Sequence, residues 1–264
     1  MKYKLYLIFA LYLLNSLTFA SELIIGSTTS TKGSGLLDLL IPAFTQDTGL
    51  KVKVFSVGTG TALRMARQGK VDVLLVHAPA AEKKLVKDGY GILRTPVMKN
   101  DFIIVGPKSD PAKISAMNNV NLAFKKIQQS QSQFVSRADD SGTHKKEMTI
   151  WDASKIFPAG DWYYELGSSM SASLKAANNQ SAYVLVDRGT WLAKRRALNL
   201  IIHVEGDPLL DNPYHVIAVN PKKYKHVNYS AAKIFIKWLS GSKGTAIINQ
   251  LRIDGEQLFT AAVN

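Results

Sequence analysis

Apolar residues along the chain follow two kinds of pattern. Short continuous runs, typical of buried strands, alternate with longer stretches in which apolar residues recur every three or four positions, as on one helix face. The short runs predict strands at residues 22–26, 51–55, 71–76, 102–105, 134–136, 183–186 and 215–219. The longer stretches predict helices at residues 36–49, 61–69, 80–88, 119–129, 141–151, 171–178 and 231–239.

The order of these elements predicts the fold class. Strands and helices alternate over the first hundred or so residues, and a β-α-β-α-β succession favours a parallel sheet with helices on both faces. The sequence contains no internal repeat and no flexible linker. We therefore expect an α/β protein with two cores that are joined by strands rather than by a linker.

The N-terminus has the pattern of an export signal. Lys2 and Lys4 precede an apolar run from Leu5 to Leu14, and small residues lead up to Ala20. A run of about 10 residues is too short for a bilayer span, which takes about 20. We predict a signal peptide at residues 1–20, cleaved after Ala20, and a periplasmic chain that is not inserted in the membrane afterwards. A buried N-terminal helix is the alternative.

Composition narrows the possible chemistry. The 264 residues include no cysteine, which excludes thiol catalysis, cysteine-ligated zinc and iron–sulfur clusters. The formal net charge of +13 suits an anionic partner, but the basic residues are scattered, so nucleic acid is not expected. The five histidines lack metal-ligand spacing, and neither a nucleophile elbow nor a Walker A motif is present. We expect no cofactor and no enzymatic activity.

Three segments rich in small hydroxyl residues lie between a predicted strand and a predicted helix. They are residues 27–30, 56–61 and 136–143. Ligands of open α/β sheets bind at the carboxyl ends of strands, where helix N-termini offer N–H donors and a partial positive charge. Serine and threonine add O–H donors, so the combination suits a small oxyanion. Helix capping alone is the alternative for each segment.

Arg137 is the basic residue inside these segments, with Lys32 at the edge of the first. A guanidinium can hold two oxygens of one anion. A salt bridge to Asp139 or Asp140 is the alternative. Those two acids could orient Arg137, cap the helix that enters at Ser141, or accept a proton from a ligand such as hydrogen phosphate.

Longer segments resemble the periplasmic tungstate-binding proteins of ABC transporters (Tup type), which have the type II periplasmic binding-protein fold. The resemblance covers about residues 22–259. It is carried by STTSTKGSGLLDLLIPAF from Ser27, VGTGTAL from Val57, VDVLLVHAPAAE from Val71, NDFIIVGPKSDPA from Asn100, FVSRADDSGTHKKE from Phe134, YVLVDRGTWLA from Tyr183, NPYHVIAVNP from Asn212, HVNY from His226 and DGEQLF from Asp254.

One family segment differs in this chain. The pattern G-x-G-M-G appears as Gly167-Ser-Ser-Met-Ser171, with serine at two of the three glycine positions. Serine strains the loop if the backbone there needs a positive φ. Otherwise its hydroxyl adds a contact.

The resemblance implies two doubly wound lobes with a ligand cleft, joined by two crossing hinge strands at residues 102–105 and 215–219. Lobe 1 would comprise residues 21–103 and 216–264, and lobe 2 residues 104–215. The implied function is capture of tungstate or molybdate by a monomer that delivers it to an ABC permease. The implied ligand-binding residues are Thr28, Thr29, Ser30, Thr59, Thr61, Arg137, Ser141, Gly142, Thr143, Ser169, Met170 and Ser171.

Two other functions remain open on the residues alone. A phosphate- or sulfate-binding protein of an ABC importer is one, and phosphate would require Asp139 or Asp140 to face the ligand as an acceptor. A phosphate or sulfate ester hydrolase that uses Ser141 is the other. Tungstate carries no proton at neutral pH, so its site should supply donors alone.

Overall fold

The computed structural model describes residues 22–262, so the predicted signal peptide lies outside the described residues. The strands are β1 (Leu23–Thr28), β2 (Val52–Val57), β3 (Val73–Val76), β4 (Gly91–Pro107), β5 (Phe134–Ser136), β6 (Tyr163–Glu165), β7 (Tyr183–Asp187), β8 (Leu200–Val204), β9 (Asp211–Val219), β10 (Arg252–Ile253), β11 (Glu256–Gln257) and β12 (Thr260–Ala261). The helices are α1 (Thr29–Gly33), α2 (Leu36–Thr48), α3 (Thr59–Arg67), α4 (Pro79–Lys87), α5 (Val120–Gln129), α6 (Gly142–Ala153), α7 (Met170–Gln180), α8 (Arg188–Lys194), α9 (Tyr229–Leu239) and α10 (Ser242–Gln250), with 3₁₀ turns at Arg195–Ala197 and Pro208–Leu210. None of the helices within residues 22–262 is both long and apolar enough to cross a bilayer.

One mixed sheet runs through the molecule in the order β2-β1-β3-β9-β4-β7-β5-β6, with β8 and β12 also paired to β4. Its two ends are parallel, as the β-α-β pattern predicts: β1 pairs with β2 and β3, and β5 pairs with β6 and β7. The prediction of a parallel sheet is wrong at the centre, where β9 and β4 run antiparallel to their neighbours. The reason is that β9 returns from the distant part of the chain and inserts between β3 and β4.

The 17-residue strand β4 belongs to both halves of the molecule. Residues 91–101 pair with β9, while residues 102–105 pair with β7. The chain leaves the first half along β4 and returns through Pro208–Leu210 into β9. We call β1–β3, β9 and β12 with the start of β4 the first half, and β5–β8 with the end of β4 the second half. The lobe boundaries at 103/104 and 215/216 remain a prediction.

Buried apolar side chains within residues 22–262 form three clusters. One belongs to the first half and is built around Leu74 and Ile217. Another belongs to the second half and includes the packed rings of Phe124 and Trp151. The third extends through both halves, from Phe44 of α2 to helices α7 and α8. Apolar packing therefore connects the halves in addition to the two chain passages.

Candidate functional site

Three strand-to-helix turns meet at one cavity of about 350 Å³ between the halves. The first half contributes the turns after β1 and β2, and the second half contributes the turn after β5. These are the three hydroxyl-rich segments that the sequence singles out. Nine predicted site residues line this cavity: Thr28, Thr29, Ser30, Thr59, Thr61, Arg137, Ser141, Gly142 and Thr143.

The other three predicted positions line a neighbouring cavity of about 330 Å³. They are Ser169, Met170 and Ser171, at the start of α7. Thr29, Ser30 and Arg137 line both cavities. The structure thus brings all twelve positions around the cleft, although their contact with a ligand remains a prediction.

Helices α3 and α6 both begin at the cavity wall, from opposite halves. In α3 the backbone bonding starts with the N–H of Ala62 donating to the carbonyl of Gly58, at 3.0 Å. In α6 the Ser141 hydroxyl accepts the N–H of His144 at 3.3 Å. The remaining N–H groups of each first turn have no partner within the helix, so they can donate to an anion. The positive ends of both helix dipoles also attract an anion.

The loop that carries Arg137 has an unusual backbone. Ala138 and Asp140 have φ angles of 47° and 57°, in the left-handed region that residues other than glycine seldom occupy. The Ser136 hydroxyl fastens the loop by accepting the N–H of Ala138 at 3.2 Å. Backbone of this kind persists where the surroundings fix it, and it is frequent at ligand-binding loops.

A buried carboxyl group holds this loop through hydrogen bonds on its core-facing side. Glu147 of α6 accepts hydrogen bonds from the side chains of Ser136, Trp151 and Tyr163. It also accepts a hydrogen bond from the backbone of Arg137. Burial raises the pKa of Glu147 to about 7, although these donors act in the opposite direction. The side chain therefore ties the Arg137 loop to the core of the second half.

The predicted alternative for Arg137, a salt bridge, is present. Its Nη2 pairs with Asp139, and its Nε donates to the carbonyl of Ser168 at 3.3 Å. The second oxygen of Asp139 accepts the N–H of Ser141 at 3.2 Å, while Asp140 pairs with Lys145. Both acids line the cavity, and each carboxylate is matched by a cation. Asp139 thus orients Arg137 and also holds the start of α6.

The serines of residues 167–171 do not strain the backbone. Gly167 has φ 64°, so the position that requires a left-handed conformation keeps its glycine. Ser169 has φ −66° and caps α7 by accepting the N–H of Ala172 at 3.3 Å. Ser171 lies in the first turn of α7. The two serines therefore add hydroxyl groups near the cleft without a conformational cost.

Two cavity residues lie outside the three predicted segments, His77 and Arg64. His77 follows β3, and its buried ring stacks on Tyr214 with a centroid separation of 4.4 Å. Burial lowers the pKa of His77. Arg64 lies one turn after Thr61 and donates to its hydroxyl at 2.8 Å. His77 had a signal that could have revealed it, because it follows a fully buried strand at the same edge as the three turns.

The two halves touch each other across the cavity at Gly142. A Cβ atom added there would lie 3.3 Å from Cε1 of His77 and 3.5 Å from the hydroxyl of Thr59. The first of these separations is tighter than ordinary van der Waals contact. A glycine at the start of α6 therefore allows the close approach of the halves.

The donor set suits an anion better than a cation. Hydroxyl groups, helix N-termini and guanidinium groups surround the cavity, and residues 22–262 contain no cluster of three histidine or acidic residues able to hold a metal ion. The ligand that these groups can bind is therefore small, anionic and rich in acceptor oxygens.

Comparison with known proteins gives matches over most of the chain. A family model described as a PBP superfamily domain matches residues 16–243. The tungstate-binding protein TupA of Peptoclostridium acidaminophilum is 47% identical over 243 residues, covering 90% of this chain and 85% of the relative.

Solved structures of tungstate-binding proteins also match over most of the chain. The tungstate-binding protein TupA from Desulfovibrio alaskensis G20 superposes with a TM-score of 0.84 at 40% identity, over 92% of this chain and 99% of that one. The tungstate ABC transporter structure from Geobacter sulfurreducens superposes with a TM-score of 0.78 at 44% identity, over 86% and 97% of the two chains.

Proposed function

The chain belongs to the PBP superfamily and, within it, to the tungstate-binding TupA proteins, and we propose from this membership that it captures tungstate between its two halves and delivers it to an ABC permease. The expected fold class, a type II periplasmic binding protein, is confirmed. Molybdate has the same charge and shape, so it is the second ligand of this proposal.

The observation that carries the proposal is the convergence of donors from both halves. A tetrahedral dianion offers acceptor oxygens alone at neutral pH, and the cavity supplies hydroxyl groups, helix N-termini and Arg137. The cavity wall does not consist of donors alone, because the carboxylates of Asp139 and Asp140 also line it, each paired with a cation. About six to eight charge-assisted hydrogen bonds at about 1.5–3 kcal/mol each give a gross gain of about 9–24 kcal/mol. Nanomolar affinity needs about 12 kcal/mol, so the site can bind tightly after the costs of desolvation and closure.

We assign the ligand contacts to the nine residues of the first cavity. Thr28, Thr29, Ser30, Thr59 and Thr61 would act from the first half, and Arg137, Ser141, Gly142 and Thr143 from the second. The start of α7, with Ser169, Met170 and Ser171, would complete the site from the neighbouring cavity. In this proposal the lobes at residues 21–103 with 216–264, and at 104–215, close on the ion.

The same proposal includes where the chain acts. A signal peptide cleaved after Ala20 would release it into the periplasm, where a monomer would carry the ion to the permease. Delivery requires no chemical turnover and no cofactor.

The alternatives raised by the sequence are not favoured. Both oxygens of Asp139 bind protein groups, so this carboxylate has less capacity to accept a proton from hydrogen phosphate. The Ser141 hydroxyl accepts the backbone N–H of His144, and the His144 ring accepts the N–H of Asp140 at 3.1 Å. These bonds are typical of a helix start and not of a nucleophile paired with its base.

Competitive calorimetry tests the proposal. Dialysed protein is titrated with tungstate, molybdate, sulfate or phosphate, and then with tungstate in the presence of each other ion. We expect tight binding of tungstate and molybdate and binding of sulfate and phosphate that is weaker by orders of magnitude. Phosphate or sulfate as the tightest ligand, or turnover of a chromogenic phosphate ester, would contradict the proposal.

A further inference from the structure

His77 stands in a buried chain of side-chain hydrogen bonds that ends at the ligand cavity. Asn212 Nδ2 donates to Asn100 Oδ1 at 2.7 Å, which leaves Asn212 Oδ1 as an acceptor. The Nδ1 of His77 lies 2.9 Å from that oxygen, so Nδ1 carries a proton. The other ring nitrogen, Nε2, therefore has a free lone pair whenever the ring is neutral.

This lone pair faces two proposed ligand residues. Nε2 lies 3.1 Å from the hydroxyl of Ser30 and 3.3 Å from that of Thr28. A hydroxyl group has one proton. Thr28 Oγ1 accepts the N–H of Thr31 and lies 2.7 Å from the Thr31 hydroxyl, so Ser30 is the hydroxyl that matters here. When Ser30 donates to a neutral His77, it presents only lone pairs to an anion. A neutral ring thus removes one donor from the site.

A protonated ring reverses the direction of this hydrogen bond. Nε2–H then donates to the hydroxyl oxygen, and the hydroxyl proton is released for an oxygen of the anion. The imidazolium also places a positive charge behind the two hydroxyl groups. We propose, resting on the proposed function, that His77 is a positioning residue that takes up a proton when the oxyanion binds.

Charged groups around His77 act in both directions. Asp187 and Glu82 favour the charged ring, while Arg137 opposes it, and Tyr214 covers one ring face. Burial dominates and lowers the pKa of His77, so the ring is neutral in the free protein near pH 7. A dianion beyond Ser30 raises that pKa. Between the free and bound pKa values, affinity should therefore fall up to about tenfold for each unit by which the pH rises.

The first measurement uses the wild-type chain. Nitrogen-15 NMR of the histidine rings follows His77 between about pH 5 and 9, with and without sodium tungstate. Calorimetry in buffers of different ionisation enthalpy measures the protons taken up on binding. We expect a raised His77 pKa in the complex and an uptake of up to about one proton.

The second measurement uses His77→Gln, since a glutamine amide can occupy the Nε2 position as a permanent donor. We expect this variant to bind tungstate with a flat pH profile and no proton uptake. His226→Gln is the matched control, because His226 bonds the carbonyl of Gly69 away from the cavity. Glu147→Gln removes a buried carboxyl group whose pKa is raised to about 7, and it should keep the wild-type dependence of affinity on pH.

The outcomes separate this inference from the function on which it rests. Tungstate binding with no proton uptake and an unchanged His77 pKa would overturn the role of His77 and leave the function intact. A pH slope that persists in folded His77→Gln would do the same. No tungstate binding at any pH would overturn both. If His77→Gln does not fold, the NMR result on the wild-type chain decides.

Discussion

Replacing Arg137 with lysine keeps the charge at the centre of the proposed site and removes its planar geometry. The guanidinium bonds Asp139 and the carbonyl of Ser168, and its Nη1 has no protein partner among residues 22–262. Nη1 is therefore available to an anion. A lysine ammonium cannot hold the carboxylate, the carbonyl and the ligand in the same arrangement.

The expected loss is one charge-assisted hydrogen bond, about 1.5–3 kcal/mol, which corresponds to an increase in Kd of about 10- to 150-fold. The free energy of unfolding should change by less than about 1 kcal/mol, because the lysine ammonium keeps a positive charge beside the carboxylate of Asp139. Arg137 should thus affect binding far more than stability.

The assay is calorimetric titration with tungstate at one fixed pH, together with urea unfolding of each variant. Arg252→Lys is the control, because Arg252 lies on the exposed hairpin strand β10 and bonds carbonyl groups of residues 249 and 251. An Arg137→Lys variant that folds and binds tungstate within about threefold of wild type would refute this reasoning and remove Arg137 from the site.

Three further measurements test the cleft and its support. Gly142→Ala should weaken tungstate binding about tenfold or more, because its Cβ would press on His77 and hinder closure. An affinity equal to that of the wild-type chain would contradict this. Burial raises the pKa of Glu147 from 4.5 to about 7, so the free energy of unfolding of the wild-type chain should fall by up to about 3 kcal/mol as the pH rises through this window. The fall should be smaller for Glu147→Gln. Parallel curves of stability against pH for the two chains would contradict this. Solution scattering should show a smaller radius of gyration with tungstate than without, and equal radii would exclude closure on the ligand.

The sequence predicted elements well where their signals are local. Strand β5 was predicted with its observed bounds, and α5 within one residue, because Asn119 caps that helix by accepting the N–H of Leu122. The first part of β4 was missed. Its pairing with β9 shifts register between Ile92 and Thr95, and Leu93 has φ 52°, so the stretch shows no alternating pattern. A distant strand imposes this extended conformation.

The candidate site likewise contains parts that a local sequence pattern reveals and parts that distant residues position. The three donor-rich turns have a signature within a few consecutive residues, so the sequence alone singled them out. The place of His77 after a buried strand can be read from the sequence, but its ring is oriented by Asn212, which is 135 positions away, and no short pattern contains that information. The orientation of Arg137 likewise depends on Ser168, on a different loop.

Strand β9 fills the gap between β3 and β4, although it is synthesised long after both. Val76 pairs with His215, so this edge of β3 stays open until residue 215 has emerged. The intervening segment, by contrast, can complete most of its own pairing without later residues. A polypeptide that emerges amino end first thus completes the earliest-made part of its sheet last, and chaperones that shield unpaired strand edges would act on that part for longest.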